Sequence, residues 1–79
     1  MNTETPARRV VAARVVFGEE GFVAVAEDMK TKGYGYSSYA AARSVGRHLE
    51  FPNGFDVVYQ GKAADGAGTI WHIVEVDRG

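Results

Sequence analysis

A single stretch of this 79-residue chain carries helical spacing, and segments that alternate as strands bracket it on both sides. In Tyr39–Phe51 (YAAARSVGRHLEF), Ala41, Ala42, Val45 and Leu49 fall at i, i+1, i+4 and i+8 and form one apolar stripe, with Arg43, Arg47 and Glu50 on the outer side. Ser37 and Ser38 precede it as N-cap candidates, and Pro52-Asn53-Gly54 ends it by withdrawing a donor and supplying positive-φ residues. Gly46 inside the stretch costs about 1 kcal/mol relative to alanine, which predicts close approach to a sheet beneath. One helix excludes a helical bundle and repeated βαβ units, so a sheet has to bury the remaining apolar residues.

Five segments supply that sheet. Arg9–Phe17 (RVVAARVVF) puts Val11, Ala13, Val15 and Phe17 on one face and Val10, Ala12, Arg14 and Val16 on the other. After the turn Gly18-Glu19-Glu20-Gly21, Phe22–Met29 (FVAVAEDM) resumes the extended pattern and pairs with the first strand as a hairpin. Lys30–Lys32 is the next turn, and Gly33–Tyr36 alternates glycine with tyrosine so that both rings point to one side. Beyond the helix, Phe55–Gln60 and Thr69–Asp77 are strands joined by the glycine-rich loop Gly61–Gly68.

The fold class is therefore α+β: a two-layer domain with a five-stranded, mostly antiparallel sheet and one helix, in the order βββαββ. Residues 1–7, polar and interrupted by Pro6, read as a flexible leader, and residues 8–79 as one domain. One helix covers one sheet face. The first and last strands nevertheless carry apolar residues on both faces, Val10/Val16 against Val11/Val15 and Ile70/Val74/Val76 against Trp71/Ile73. The second face must be closed by curvature of the sheet or covered by a second copy, a homodimer packed open face to open face.

Nine Lys/Arg against ten Asp/Glu give a net charge of −1, without the basic excess of a protein that neutralises phosphates, so nucleic acid is a disfavoured partner. The carboxylates are scattered and form no acidic run that could imitate a duplex. The absence of cysteine removes disulfides, thiolate metal clusters and a thiol nucleophile together. No apolar run approaches the ~18 residues that span a bilayer, so no membrane association and a cytoplasmic location are expected. A chain of this size buries only about 60% of its unfolded surface, which makes self-association a reasonable expectation.

Catalytic constellations are missing. His48 near the helix C-terminus and His72 within the last strand have no metal-ligand spacing, and the serines at 37, 38 and 44 have no nucleophile-elbow context. Glu27 and Asp28, adjacent on a strand end, point to opposite faces and share no site. The loop Gly61–Gly68 with Lys62 leads into a strand, where a phosphate-binding loop leads into a helix, and Gly33-x-Gly35 is too short for a dinucleotide fingerprint. No metal and no cofactor are expected. What remains is a cluster of Tyr34, Tyr36 and Tyr39 beside Lys30 and Lys32, with Arg43 and Arg47 on the following helix. The tyrosines could simply fill the sheet surface, could stack bases, or could form a protein-binding patch. Among functional roles the protein-binding patch is preferred, with Tyr34, Tyr36, Tyr39, Arg43 and Arg47 as the contact residues.

Two resemblances accompany these residues. FVAVAEDMKTKGYGYSSYAAARSVGRHL, residues 22–49, resembles the core of HicB-type antitoxins: an extended apolar segment ending in an acidic turn, a glycine-containing short strand, then an alanine-rich helix. The Pro-Asp and Leu-Pro-Gly turn usual in that family is replaced here by Glu27-Asp28-Met29-Lys30. That resemblance implies binding to a small ribonuclease toxin. In size, element order and lack of a catalytic set, the whole chain is also similar to small phage-encoded anti-CRISPR proteins. This second likeness implies a non-enzymatic inhibitor that occupies a protein surface of a guide-RNA (Cascade-type) surveillance complex, and it is the leading expectation. A single-stranded nucleic-acid module using Tyr34, Tyr36, Lys30 and Lys32 is the expectation from another class.

Overall fold

The computed structural model describes residues 9–76; the expected leader at 1–7 and the assignment of Asp77 to the last strand lie outside them. The elements follow the order βββαββ: β1 (Val10–Gly18), β2 (Gly21–Ala26), β3 (Lys32–Gly35), α1 (Ser38–His48), β4 (Phe55–Lys62) and β5 (Thr69–Glu75). Every neighbouring pair is antiparallel and the strands lie in the order β3-β2-β1-β5-β4. The two hairpins thus meet along β1 and β5, the most valine-rich strand and the one bearing Ile70, Ile73 and Val74.

Register decides which side chains enter the core. Ala13 faces Ala26 and Trp71, Val15 faces Ala24, and Ile73 sits between Val11 and Val57. Directly paired residues share a sheet face, so these side chains all look toward α1. Ala13, Val15, Ala24 and Ala26 meet Ala41, Ala42 and Val45 of the helix, with Phe51 and Ile73 completing the core. The predominance of alanine lets the helix lie close. Closest of all is its approach to β3, where a Cβ on Gly33 would come within 2.6 Å of the Ala41 carbonyl oxygen and the Val45 nitrogen. Gly46, expected to mark close packing against the sheet, lies under the ring of Phe55 at the start of β4, with no room for a side chain.

Several element ends differ from the sequence reading. The helix is capped as expected, Ser37 Oγ accepting from the Ala40 N–H at 3.1 Å. It stops at His48 and not at Phe51: the Leu49 N–H donates to the carbonyls of Val45 and Gly46, and Glu50 then takes a left-handed conformation (φ 58°). β2 stops at Ala26, before the expected Met29. Asp28 accepts from the Lys30 and Thr31 N–H groups at 2.8 and 3.0 Å and folds the segment into a turn in which Met29 has φ 63°. Glu27 and Asp28 are exposed, as expected of a solvated strand end. β3 ends at Gly35, so Tyr36 lies beyond it, 99% exposed. β4 runs on to Lys62 through a bulge between Tyr59 and Gly61.

The second sheet face carries Val10, Ala12, Arg14 and Val16 of β1, Val23 and Val25 of β2, Tyr34 of β3 and Ile70, His72 and Val74 of β5. Curvature does not close it: β3 and β4 remain two separate outer strands. No described residue forms a layer over this face. Its central charge is partnered, Arg14 donating to both carboxylate oxygens of Asp65 at 2.8 and 2.9 Å and to the Ala67 carbonyl at 3.1 Å. Among the described residues no helix is long and apolar enough to cross a membrane.

The Arg14–Asp65 contact gives a pH-dependent expectation. The Ala67 N–H and the Arg14 guanidinium hold the Asp65 carboxyl below the usual carboxylate range, and the Lys30 and Thr31 N–H groups do the same for Asp28. A depressed folded-state pKa contributes stability that is complete above the unfolded value, near 4, and fades as pH falls through the folded one. Asp65→Asn should therefore lower the thermal midpoint at pH 7, by a difference that shrinks as pH falls below the unfolded value and through the depressed folded one. Both groups are solvent-exposed, so the difference at pH 7 is small.

Candidate functional site

The strand-to-helix connection builds the main groove. Gly33 and Gly35 present bare backbone to the helix, with Gly35 beneath Ala40 and Gly33 beneath Ala41, Ser44 and Val45. The helix therefore runs back along β3, antiparallel to it and nearly in line. On the outer side of that contact, Tyr34 of β3, Tyr36 of the connection and Tyr39, Arg43 and Arg47 of the helix surround a groove of about 270 Å³, floored by Gly35, Ala40 and Ser44. All five residues singled out in the sequence line this one groove. Lys30 and Lys32 do not line it.

Their individual settings differ. Tyr34 is half-exposed on the edge strand, and Tyr36 extends fully into solvent beyond the strand end. Tyr39 is tied into the packing, its ring meeting Trp71 edge-on at 6.1 Å, and Trp71 in turn meets Tyr59 at 5.1 Å. Trp71 Nε1–H donates to the Thr69 hydroxyl at 2.9 Å, which fixes the indole. Tyr39 thus joins the groove to an aromatic row running toward β4, whose members Trp71 and Tyr59 the sequence reading did not assign to a site. Their alternation within two strands that pair in register was the available signal, but it needs the pairing to be known.

The groove is cationic. Among the described residues neither Arg43 nor Arg47 has a carboxylate within salt-bridge distance, and no acidic residue lines the groove. Two unpaired guanidiniums four residues apart on one helix face present a pair of planar donor forks on successive turns. Both side chains are exposed, so holding them in place costs conformational entropy that an incoming acidic group would have to offset. Among the described residues no group of three metal-ligating side chains occurs. His48 lies exposed in the last helical turn and His72 half-buried in β5, where sequence placed them.

A second, larger hollow of about 530 Å³ opens on the uncovered sheet face, bounded by Ala12, Val25, Ile70, Met29 and the Arg14–Asp65 pair. It is mostly apolar; of its charged wall, Arg14 and Asp65 neutralise each other, while Glu27 has no ion-pair partner among the described residues. No protein-family description matches the chain, and neither the curated proteins nor the solved structures contain a match to it.

Proposed function

We propose that this protein works without catalysis, as an inhibitor that binds a partner protein through the groove between β3 and α1. The gathering of three tyrosines and two uncompensated arginines in one groove carries this reading. Tyrosine and arginine are the side chains most enriched where truncation costs binding energy, because each offers a large rigid contact area with a polar end. Likeness in size and element order to anti-CRISPR proteins makes a subunit of a guide-RNA surveillance complex the first partner to test. The HicB-like stretch favours a second reading, since residues 22–49 fold as β2, β3 and α1 and contain the entire groove; its partner would be a small ribonuclease.

The test is affinity capture from host extract with the unsubstituted protein and the Arg43→Ala/Arg47→Ala double variant in parallel. Surveillance-complex subunits should be retained by the former and weakened about thirtyfold by the latter, at ~1 kcal/mol for each arginine. A small ribonuclease retained in the same arginine-dependent way would replace the partner and keep the groove. Equal retention by both proteins would reject the groove.

A further inference from the structure

The sheet has two outer strands, and they are not equivalent. β4 is bulged between Tyr59 and Gly61, whereas β3 is regular along its pairing with β2. The Ala26 N–H donates to the Thr31 carbonyl at 2.9 Å, and Ala24 lies opposite Gly33. In an antiparallel ladder this phase turns the N–H and C=O groups of Lys32 and Tyr34 away from β2, toward the free edge. Among the described residues no group beyond the ladder bonds to them. Such an edge is a template for another strand, and this one lies at the wall of the tyrosine–arginine groove.

We infer that the β3 edge takes an extended segment of the partner as a sixth strand, with acidic side chains at alternate positions meeting Arg43 and Arg47. The inference rests on the groove being a protein-binding site and specifies the chemistry it accepts. Spacing supports it. Because α1 runs antiparallel above β3, Arg43 and Arg47, which line the groove together with Tyr34 and Gly35, have Cα atoms ~6 Å apart along the strand direction. Alternate residues of a strand are ~6.7 Å apart, so two acidic residues separated by one position fall opposite the two guanidiniums. The intervening side chains emerge on the other sheet face beside Tyr34, where apolar residues fit. The groove has no carboxylate to compete, and main-chain bonds along the edge add affinity without requiring one sequence. Phosphates of a single-stranded nucleic acid would also meet the arginines, but they leave the edge groups of Lys32 and Tyr34 unpaired and must overcome a net charge of −1.

Five probes test this by fluorescence anisotropy: a seven-residue peptide alternating glutamate with valine and threonine, its lysine-for-glutamate counterpart, two forms of the glutamate peptide N-methylated at alternate amides in one phase or the other, and a twelve-nucleotide oligothymidylate. The glutamate peptide should bind at least tenfold more tightly than the lysine peptide, and Arg43→Ala/Arg47→Ala should remove that preference. N-methylation in one of the two alternating phases should abolish binding, while methylation in the other is tolerated. Amide exchange should slow at Lys32 and Tyr34 in the complex, which a contact made only by side chains would not cause. Equal affinity for both peptides, indifference to N-methylation, preference for oligothymidylate or no binding of the glutamate peptide would each overturn strand addition. If a partner protein is still captured in an arginine-dependent manner, that failure belongs to strand addition alone and the groove remains the binding site.

Discussion

Gly33→Val should leave the chain unfolded at room temperature, and Gly33→Ala should lower the unfolding free energy by about 3 kcal/mol. A Cβ at this position would lie 2.6 Å from two backbone atoms of α1, the Ala41 oxygen and the Val45 nitrogen, and 2.8 Å from the Ser44 Cβ. Backbone cannot swing aside as a flexible side chain can, so the helix as a whole has to lift from β3. Overpacking of this kind costs ~1–3 kcal/mol and more when the backbone must move, against a total of about 4–12 kcal/mol for a domain of this size. Alanine regains up to ~1 kcal/mol by restricting the unfolded chain, and the larger valine clash outweighs any such gain. Gly35→Ala, 2.6 Å from the Ala40 Cβ, should shift stability in the same direction. Urea titration followed by circular dichroism measures all three; an unchanged midpoint for Gly33→Ala would mean that α1 does not rest on β3.

Ile73→Ala should be the most damaging truncation of an apolar side chain, costing about 3–4 kcal/mol. Ile73 is fully buried in the central part of β5, between Val11 and Val57, and is the largest side chain wholly inside the core. Its partners Val11 and Val57 are anchored in paired strands, and the rest of the core is mostly short alanine and valine side chains of the sheet and helix, which fill a void poorly. At ~4–8 °C per kcal/mol the melting midpoint should fall by about 12–32 °C, enough to see in one thermal scan. Val58→Ala on the uncovered face should stay within about 0.5 kcal/mol of the unsubstituted protein. A comparable loss at both positions would show that the second face is buried in solution.

Alternation and one helical stripe were sufficient to place all six elements, because each is a local pattern in which side-chain period equals backbone period. Their ends were less legible. Glu50 leaves the helix in a conformation normally taken by glycine, so the apolar spacing appeared to continue to Phe51. Asp28 carried a usable turn signal, since a carboxylate two and three residues before free N–H groups competes with strand pairing, but the apolar Met29 masked it. Strand order was out of reach because it depends on which hairpin edges meet. For the same reason the Arg14–Asp65 contact, 51 residues apart in sequence, left no local trace.

The groove was legible to the extent that it is local. Tyr34, Tyr36 and Tyr39 bracket one strand-to-helix turn, and Arg43 and Arg47 follow at helical spacing, so their grouping required only β3 and α1 to be correct. That this strand is the outermost one, and that two glycines bring the helix down onto it, are properties of the assembled sheet.

The bulge on β4 bears on stoichiometry. A sheet receptive at both edges can accept a strand on one side and offer itself on the other, and such molecules propagate into filaments. Here the regular edge lies on β3, while β4 breaks its ladder at Gly61 beside the exposed, polar Gln60 and Lys62. A bulged edge twists away from straight pairing. Growth through strand pairing is thus disfavoured at β4, so a complex formed by strand addition at β3 would be discrete, with a fixed ratio of components.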